Sequence, residues 1–289
     1  MNAAFRQHCL VGLAGLATLL GASCASHEDK PDGPRPDSGR KVAYELTEDV
    51  RYVPEDWPEP LGADLYLPAS TGLRPAVLVV HGGGWTRRSR SDMNGISRQL
   101  AKRGFVVLNV TYRFAPAYRH PAQLEDLREA LAWLAANADE HRIDVTRIGA
   151  FGYSAGAHLA ALVAVTDPEP GVAAVVAGGT PVDLRKWPDS PLVNTLIGAH
   201  RDAALEAWTD ASPIAHVTPD DPPFFLYHGG MDTLVEPEQA TLMQAALQEV
   251  GVPVELYLAP LQGHVSMFVF GGSAVRAGID FLARELALD

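Results

Sequence analysis

Gly152-Tyr153-Ser154-Ala155-Gly156 lies between an apolar run at 147–151 and a stretch in which Leu159, Leu162 and Val163 share one helical face. A short apolar run giving way at once to a helical period reads as a strand running straight into a helix. The pentapeptide fits G-x-S-x-G. A serine on so sharp a turn is pushed into the open, and the glycines on either side leave space for close backbone approach. A pattern this short recurs by chance, so its weight comes from the strand before it and the helix after it.

Outward from this turn the chain alternates strand and helix, with no internal repeat. Residues 76–80, 105–110 and 147–151 are short apolar runs fit for burial on both faces, whereas 42–46 and 63–67 alternate as exposed strands do. Leu124, Leu127, Leu131 and Leu134 mark a helix behind Pro121, which a helix start tolerates. Further strands are expected at 172–176, 223–227 and 253–258. A helix is expected through Leu242, Met243, Ala246, Leu247 and Val250, and a closing one through Val275, Ile279, Leu282 and Leu286. Such alternation implies an α/β domain with a mostly parallel central sheet and helices on both faces, its ligands beyond the carboxyl ends of the strands. The proline-broken stretch 181–221, with Trp187 and Trp208, reads as an excursion over that edge, a small cap insertion.

The run at 76–80 leads directly into His81-Gly82-Gly83-Gly84-Trp85. Three consecutive glycines lose much backbone entropy on folding, so their presence calls for a reason. Attack of a serine on an ester carbonyl creates an oxyanion, which needs backbone N–H donors in a site without water. Glycines allow that approach. A serine hydroxyl also needs a base, and for a serine on a strand-to-helix turn the expected chain order is Ser, acid, His. Beyond Asp232, in His228-Gly229-Gly230-Met231-Asp232-Thr233, the sequence holds one histidine, His264 in Gln262-Gly263-His264, expected in a loop after the last strand. Asp232 would hold its tautomer and stabilise the imidazolium. Asp220, Asp221 and Glu236 are rival acids, since an Asp at a strand end also serves as a turn former.

Together with Thr111-Tyr112-Arg113-Phe114-Ala115-Pro116, Pro121-Ala122-Gln123 before Asp126, and Ser212-Pro213-Ile214 before Pro222-Pro223, these segments make the chain from about 76 to 264 resemble the hormone-sensitive-lipase-like branch of the α/β-hydrolases and the neighbouring esterases and acetylesterases with HGGGW loops. The resemblance implies Ser154 as nucleophile, Asp232 as acid and His264 as base, with the amides of Gly83, Gly84 and Ala155 as oxyanion donors. It makes His81 a brace of the loop. Trp85 is a candidate wall of the acyl pocket, and ordinary packing is the competing reading. The lipase-like relatives often carry a helical N-terminal cap, whereas 42–67 here look strand-forming, which favours small esters.

Composition bounds the rest. The 289 residues are 47% apolar, which excludes a disordered chain, and the net charge of −12 disfavours nucleic acid and anionic lipid surfaces. Both cysteines, Cys9 and Cys24, lie in the first two dozen residues. The domain therefore has neither a disulfide pair nor a thiol nucleophile. Residues 1–24 read as an export signal: Arg6 supplies the positive start, 10–20 an apolar segment too short to span a bilayer, and Gly21-Ala22-Ser23-Cys24-Ala25 the small residues. Leu20-Gly21-Ala22-Ser23-Cys24 resembles a bacterial lipoprotein box with its leucine one place too far upstream. The alternatives are a lipid anchor at Cys24 and ordinary cleavage near Ala25. Residues 25–41 read as a disordered tether, and 42–289 as the catalytic domain. No metal or other cofactor is expected: His27, His120, His141, His158, His200, His216 and His228 show no i, i+4 pairing, and no nucleotide loop follows the glycines.

The reading is an exported serine esterase that cleaves short acyl esters or deacylates carbohydrate. Two rivals are a peptidase of prolyl-oligopeptidase type and a catalytically silent hydrolase fold that binds a partner. The sequence leaves the oligomeric state open.

Overall fold

The apolar run 76–80 shows how the sheet is built. In the computed structural model, which describes residues 41–166 and 171–288, it falls in β3 (Arg74–Val80), and all five of its side chains are fully buried. Ala76, Leu78 and Val80 enter one core and Val77 and Val79 the other, because successive side chains of a strand point to opposite faces. A strand placed this way must be covered on both sides. Helices Ala122–Ala136, Ala155–Thr166 and Glu238–Glu249 cover the first face, and Asn94–Arg103 and Gly272–Glu285 the second.

The other strands are β1 (Tyr44–Arg51), β2 (Gly62–Pro68), β4 (Val106–Val110), β5 (Ile143–Tyr153), β6 (Ala174–Gly178), β7 (Phe224–Gly229) and β8 (Val254–Ala259), in the order β1-β2-β4-β3-β5-β6-β7-β8. β1 and β2 pair antiparallel, as do β2 and β4; every pairing from β4 to β8 is parallel. This is the mostly parallel sheet with helices on both faces that the alternation implies. Parallel strands all end at one edge, so Val80, Tyr153, Gly229 and Ala259 deliver the segments carrying the glycines, Ser154, Asp232 and His264 to the same side. Register brings two of these together, because Val80 pairs with Gly152.

Two expectations need correction, and one helix gains its bounds. The strand at 63–67 is not exposed: β2 sits inside the sheet, with Ala63 and Leu65 in one core and Tyr66 in the other, so its alternation reflects two buried faces. His264 is not in a loop but opens the helix His264–Phe270. Ser266, the third residue of that helix, caps it by reaching back, its Oγ accepting the Gly263 amide at 2.9 Å. The alternation implies a helix between 80 and 105 without bounding it; Asn94–Arg103 fills that place, buries Ile96, Leu100 and Ala101 and ends at Gly104, whose φ of 113° is left-handed.

The excursion is built of short helical pieces, among them Leu184–Lys186, Pro191–Ile197, Leu205–Asp210 and Pro213–His216. It is fixed to the body by the fully buried Trp208 and by Gln239, whose Oε1 accepts the amides of Val182 and Asp183, both at 2.8 Å. The expected export signal at 1–24, and all of the tether at 25–41 but its last residue, lie outside the described residues. Among the described residues no single helix is long and apolar enough to cross a membrane.

Candidate active site

The serine turn explains its own glycines. Ser154 has φ +55°, a left-handed conformation uncommon outside glycine, and its amide donates to Gly178 O at 2.7 Å. A Cβ on Gly156 would lie 2.2 Å from Val80 O, and one on Gly152 would lie 2.3 Å from Gly156 O. Both obstacles are backbone, so neither can swing aside. Gly156→Ala is therefore expected to lower the unfolding free energy by about 2–4 kcal/mol, checked by urea denaturation. Wild-type stability in that variant would show that strand and helix can separate.

His264 Nε2 is 2.9 Å from Ser154 Oγ and its Nδ1 is 2.6 Å from Asp232 Oδ2, so the three side chains form one hydrogen-bonded series. Asp232 is itself fixed: its Oδ1 accepts the amides of Leu234 and Val235 at 3.0 and 2.9 Å. Buried His228 reaches the same carboxylate, with Nε2 3.4 Å from Oδ2 and 2.9 Å from Val235 O. Burial pushes the Asp232 carboxyl up, but hydrogen bonds from His228, His264 and the Val235 amide outweigh it and hold the group well below the ordinary carboxylate range. Of the rival acids, Asp221 is engaged with Thr218 and Glu236 with the Trp187 indole, whereas the carboxylate that meets His264 is that of Asp232. Tyr153 adds a brace that the sequence did not announce, its hydroxyl donating to His264 O at 2.6 Å.

The glycine loop is held from below. His81 is fully buried, stacks on Tyr112 at 4.6 Å, and donates from Nδ1 to Gly82 O at 2.7 Å, while the Tyr112 hydroxyl donates to His81 O at 3.0 Å. Arg113 pairs with Asp126, at 2.7 Å from Nε to Oδ1. Trp85 is only 4% exposed; its indole donates to His158 Nδ1 at 3.1 Å, and His158 Nε2 donates to Ala211 O at 2.7 Å. Trp85 thus borders the cavity while tying the loop to the excursion. Among the described residues no backbone carbonyl accepts from the Gly83 or Gly84 amide, and the Ala155 amide, first in its helix, has no partner within that helix.

Two of these histidines set a pH response. Burial, partly offset by the bond to Gly82, pushes His81 down to about 4, and burial pushes His158 down to about 3. Each is neutral in the fold, whereas an unfolded histidine takes up its proton near pH 6.5. The unfolded chain therefore binds more protons below that pH. Stability is full above about pH 6.5 and falls as pH drops toward 4, by up to about 1.4 kcal/mol per pH unit for each histidine. Thermal melts across this window check the sign.

Ser154 opens into a cavity of about 290 Å³ whose walls include Trp187, Leu192, Val193, Leu234, Val265 and Phe268. None was singled out from the sequence as a wall. They come from the excursion, the turn after Asp232 and the His264–Phe270 helix, segments whose positions only tertiary packing defines. Among the described residues no cluster of His, Cys, Asp and Glu could hold a metal ion.

Comparison with known proteins agrees with this architecture. The BD-FAE family matches residues 63–247. A relative named probable carboxylic ester hydrolase LipM, from Mycobacterium tuberculosis, is 32% identical over 240 residues, covering 75% of this chain and 56% of the relative. The chain thus spans little more than half the length of that relative. Among solved structures, the acetyl ester-xyloside bifunctional hydrolase from Caldicellulosiruptor lactoaceticus superposes with a TM-score of 0.72 at 26% identity, over 82% of this chain and 96% of the other. A truncated carbohydrate esterase from gut microbiota shares the fold, with a TM-score of 0.76 at 23% identity over 86% of this chain and 99% of that one.

Proposed function

The chain belongs to the BD-FAE family of α/β-hydrolases, and from that premise we propose that it is a serine esterase cleaving short acyl esters through an acyl-enzyme. The observation that carries this reading is the Ser154–His264–Asp232 series at 2.9 and 2.6 Å, open to a small cavity beside unengaged amides. Ser154 Oγ attacks the ester carbonyl as His264 Nε2 takes its proton, and Asp232 stabilises the imidazolium. The carbonyl oxygen, now anionic, is held by the amides of Gly83, Gly84 and Ala155. The C–O bond to the alcohol breaks, and His264 returns its proton to that leaving oxygen. Water, deprotonated by the same histidine, releases the acid and restores Ser154.

A cavity of about 290 Å³ is at the small end for a ligand site, which favours acetyl to butyryl groups over long chains. The similarity to an acetyl ester-xyloside hydrolase favours a carbohydrate as the alcohol portion. The test is a panel of chromogenic esters from acetyl to lauroyl, run beside acetylated xylan and an aminoacyl-proline amide. Highest kcat/KM on the shortest esters, with acetate released from xylan, is the expected result. Preference for the proline amide would make the protein a peptidase. Failure to react with a fluorophosphonate or with any ester would leave a binding protein.

A further inference from the structure

The cavity is not uniformly apolar. Arg87 and Arg88, which follow the glycine loop after Thr86, line it together with Asp92. Arg88 is held against the loop: its φ is +85°, and a Cβ built on Gly83 would come within 2.7 Å of Arg88 Cγ. A bulky side chain in the left-handed region is an uncommon arrangement that clusters at functional sites. Its guanidinium reaches Asp92 across a loose 3.7 Å contact. Arg87 lacks even that, since among the described residues no carboxylate lies within ion-pair distance of it. The residues that line it therefore include two exposed arginines against one aspartate, in a chain whose net charge is −12.

A guanidinium presents a planar fork of donors matched to a carboxylate, and Arg87, exposed and without an ion-pair partner among the described residues, belongs to a residue set lining the proposed ester site. We propose that Arg87, with Arg88 beside it, is a specificity determinant that selects esters bearing a carboxylate on the acyl or the alcohol portion. The inference rests on the esterase reading and adds the charge of the substrate to it. The remaining walls, Trp187, Leu192 and Phe268 among them, accept the uncharged part of such a molecule.

Two matched pairs test this, each enzymatic rate taken after subtraction of the spontaneous hydrolysis and divided by the hydroxide rate constant of the same ester. On the acyl side the pair is mono-para-nitrophenyl succinate and its methyl ester; on the alcohol side it is para-acetoxybenzoate and its methyl ester. Wild-type protein is expected to have the higher kcat/KM on the charged member of at least one pair, and the pair concerned identifies which portion Arg87 meets. That preference is expected to fall about three- to tenfold in Arg87→Gln, the range of a partly screened ion pair, and to survive mostly in Arg87→Lys. A wild-type preference for the neutral member of both pairs, or one unchanged by Arg87→Gln, overturns the inference while the esterase reading stands. Absence of hydrolysis of all four esters overturns both.

Discussion

Ser154→Ala protein is expected to turn over an acetyl ester about a million-fold more slowly than wild type at saturating substrate. In the proposed mechanism the hydroxyl oxygen forms the covalent bond, and no cysteine lies in the described residues to replace it. What survives, a rate still above that of water, comes from the amides of the glycine loop and from substrate binding. The same reasoning fixes a second measurement. Ser154→Ala combined with His264→Ala is expected to be no slower than Ser154→Ala alone, because a base without a nucleophile contributes nothing and the groups act as one unit. The fold gives no reason to expect collapse, since an alanine at 154 keeps the amide that donates to Gly178 O. Single-mutant activity within about a hundredfold of wild type would mean that another group attacks the ester.

Asp232→Asn is expected to lower kcat by about ten-thousandfold with KM little altered. The substitution keeps size and the Oδ1 acceptor for the amides of Leu234 and Val235, so the turn is retained. The second carboxylate oxygen is what changes. At 2.6 Å from His264 Nδ1 it holds a proton on that nitrogen and leaves Nε2 free to accept from Ser154. An amide can instead turn its NH₂ toward Nδ1 and favour the opposite tautomer, whose Nε2 carries the proton and cannot serve as base. Steady-state kinetics on a chromogenic acetyl ester reads the effect. A loss below tenfold would return the acid role to another carboxylate, although Glu236 and Asp221 are occupied by Trp187 and Thr218.

The parts of this molecule that were legible in the sequence are those where a backbone clash or a strand period leaves few choices. Gly152 and Gly156 are readable because Gly156 O and Val80 O stand where a side chain would go. Strands 76–80 and 148–151 are readable because both faces are covered, so every residue is apolar. The order Ser154, Asp232, His264 follows from strands that all end on one side. Beyond that, local pattern carries less. Ala63, Leu65 and Tyr66 alternate like an exposed strand, yet β1 and β4 flank them, and only the pairing reveals it. The helix His264–Phe270 has seven residues, fewer than two helical turns, too short to show a period. Trp187, Leu192 and Val193 become cavity walls because Trp208 and Gln239 anchor the excursion far from them in sequence. His228 resembles any strand-end histidine until the turn folds Asp232 back to within 3.4 Å of it.

That seven-residue helix has a consequence for how the protein fails under stress. Val265, Val269 and Phe270 are 69%, 59% and 74% exposed, and Met267 is its one buried side chain, so little apolar burial holds it down. The imidazole thus rides on a weakly seated outer segment while the hydroxyl it serves is rooted in the sheet. Such segments detach before the whole molecule melts. Gentle heating should then silence the protein while its circular dichroism still looks native, and cooling should restore it.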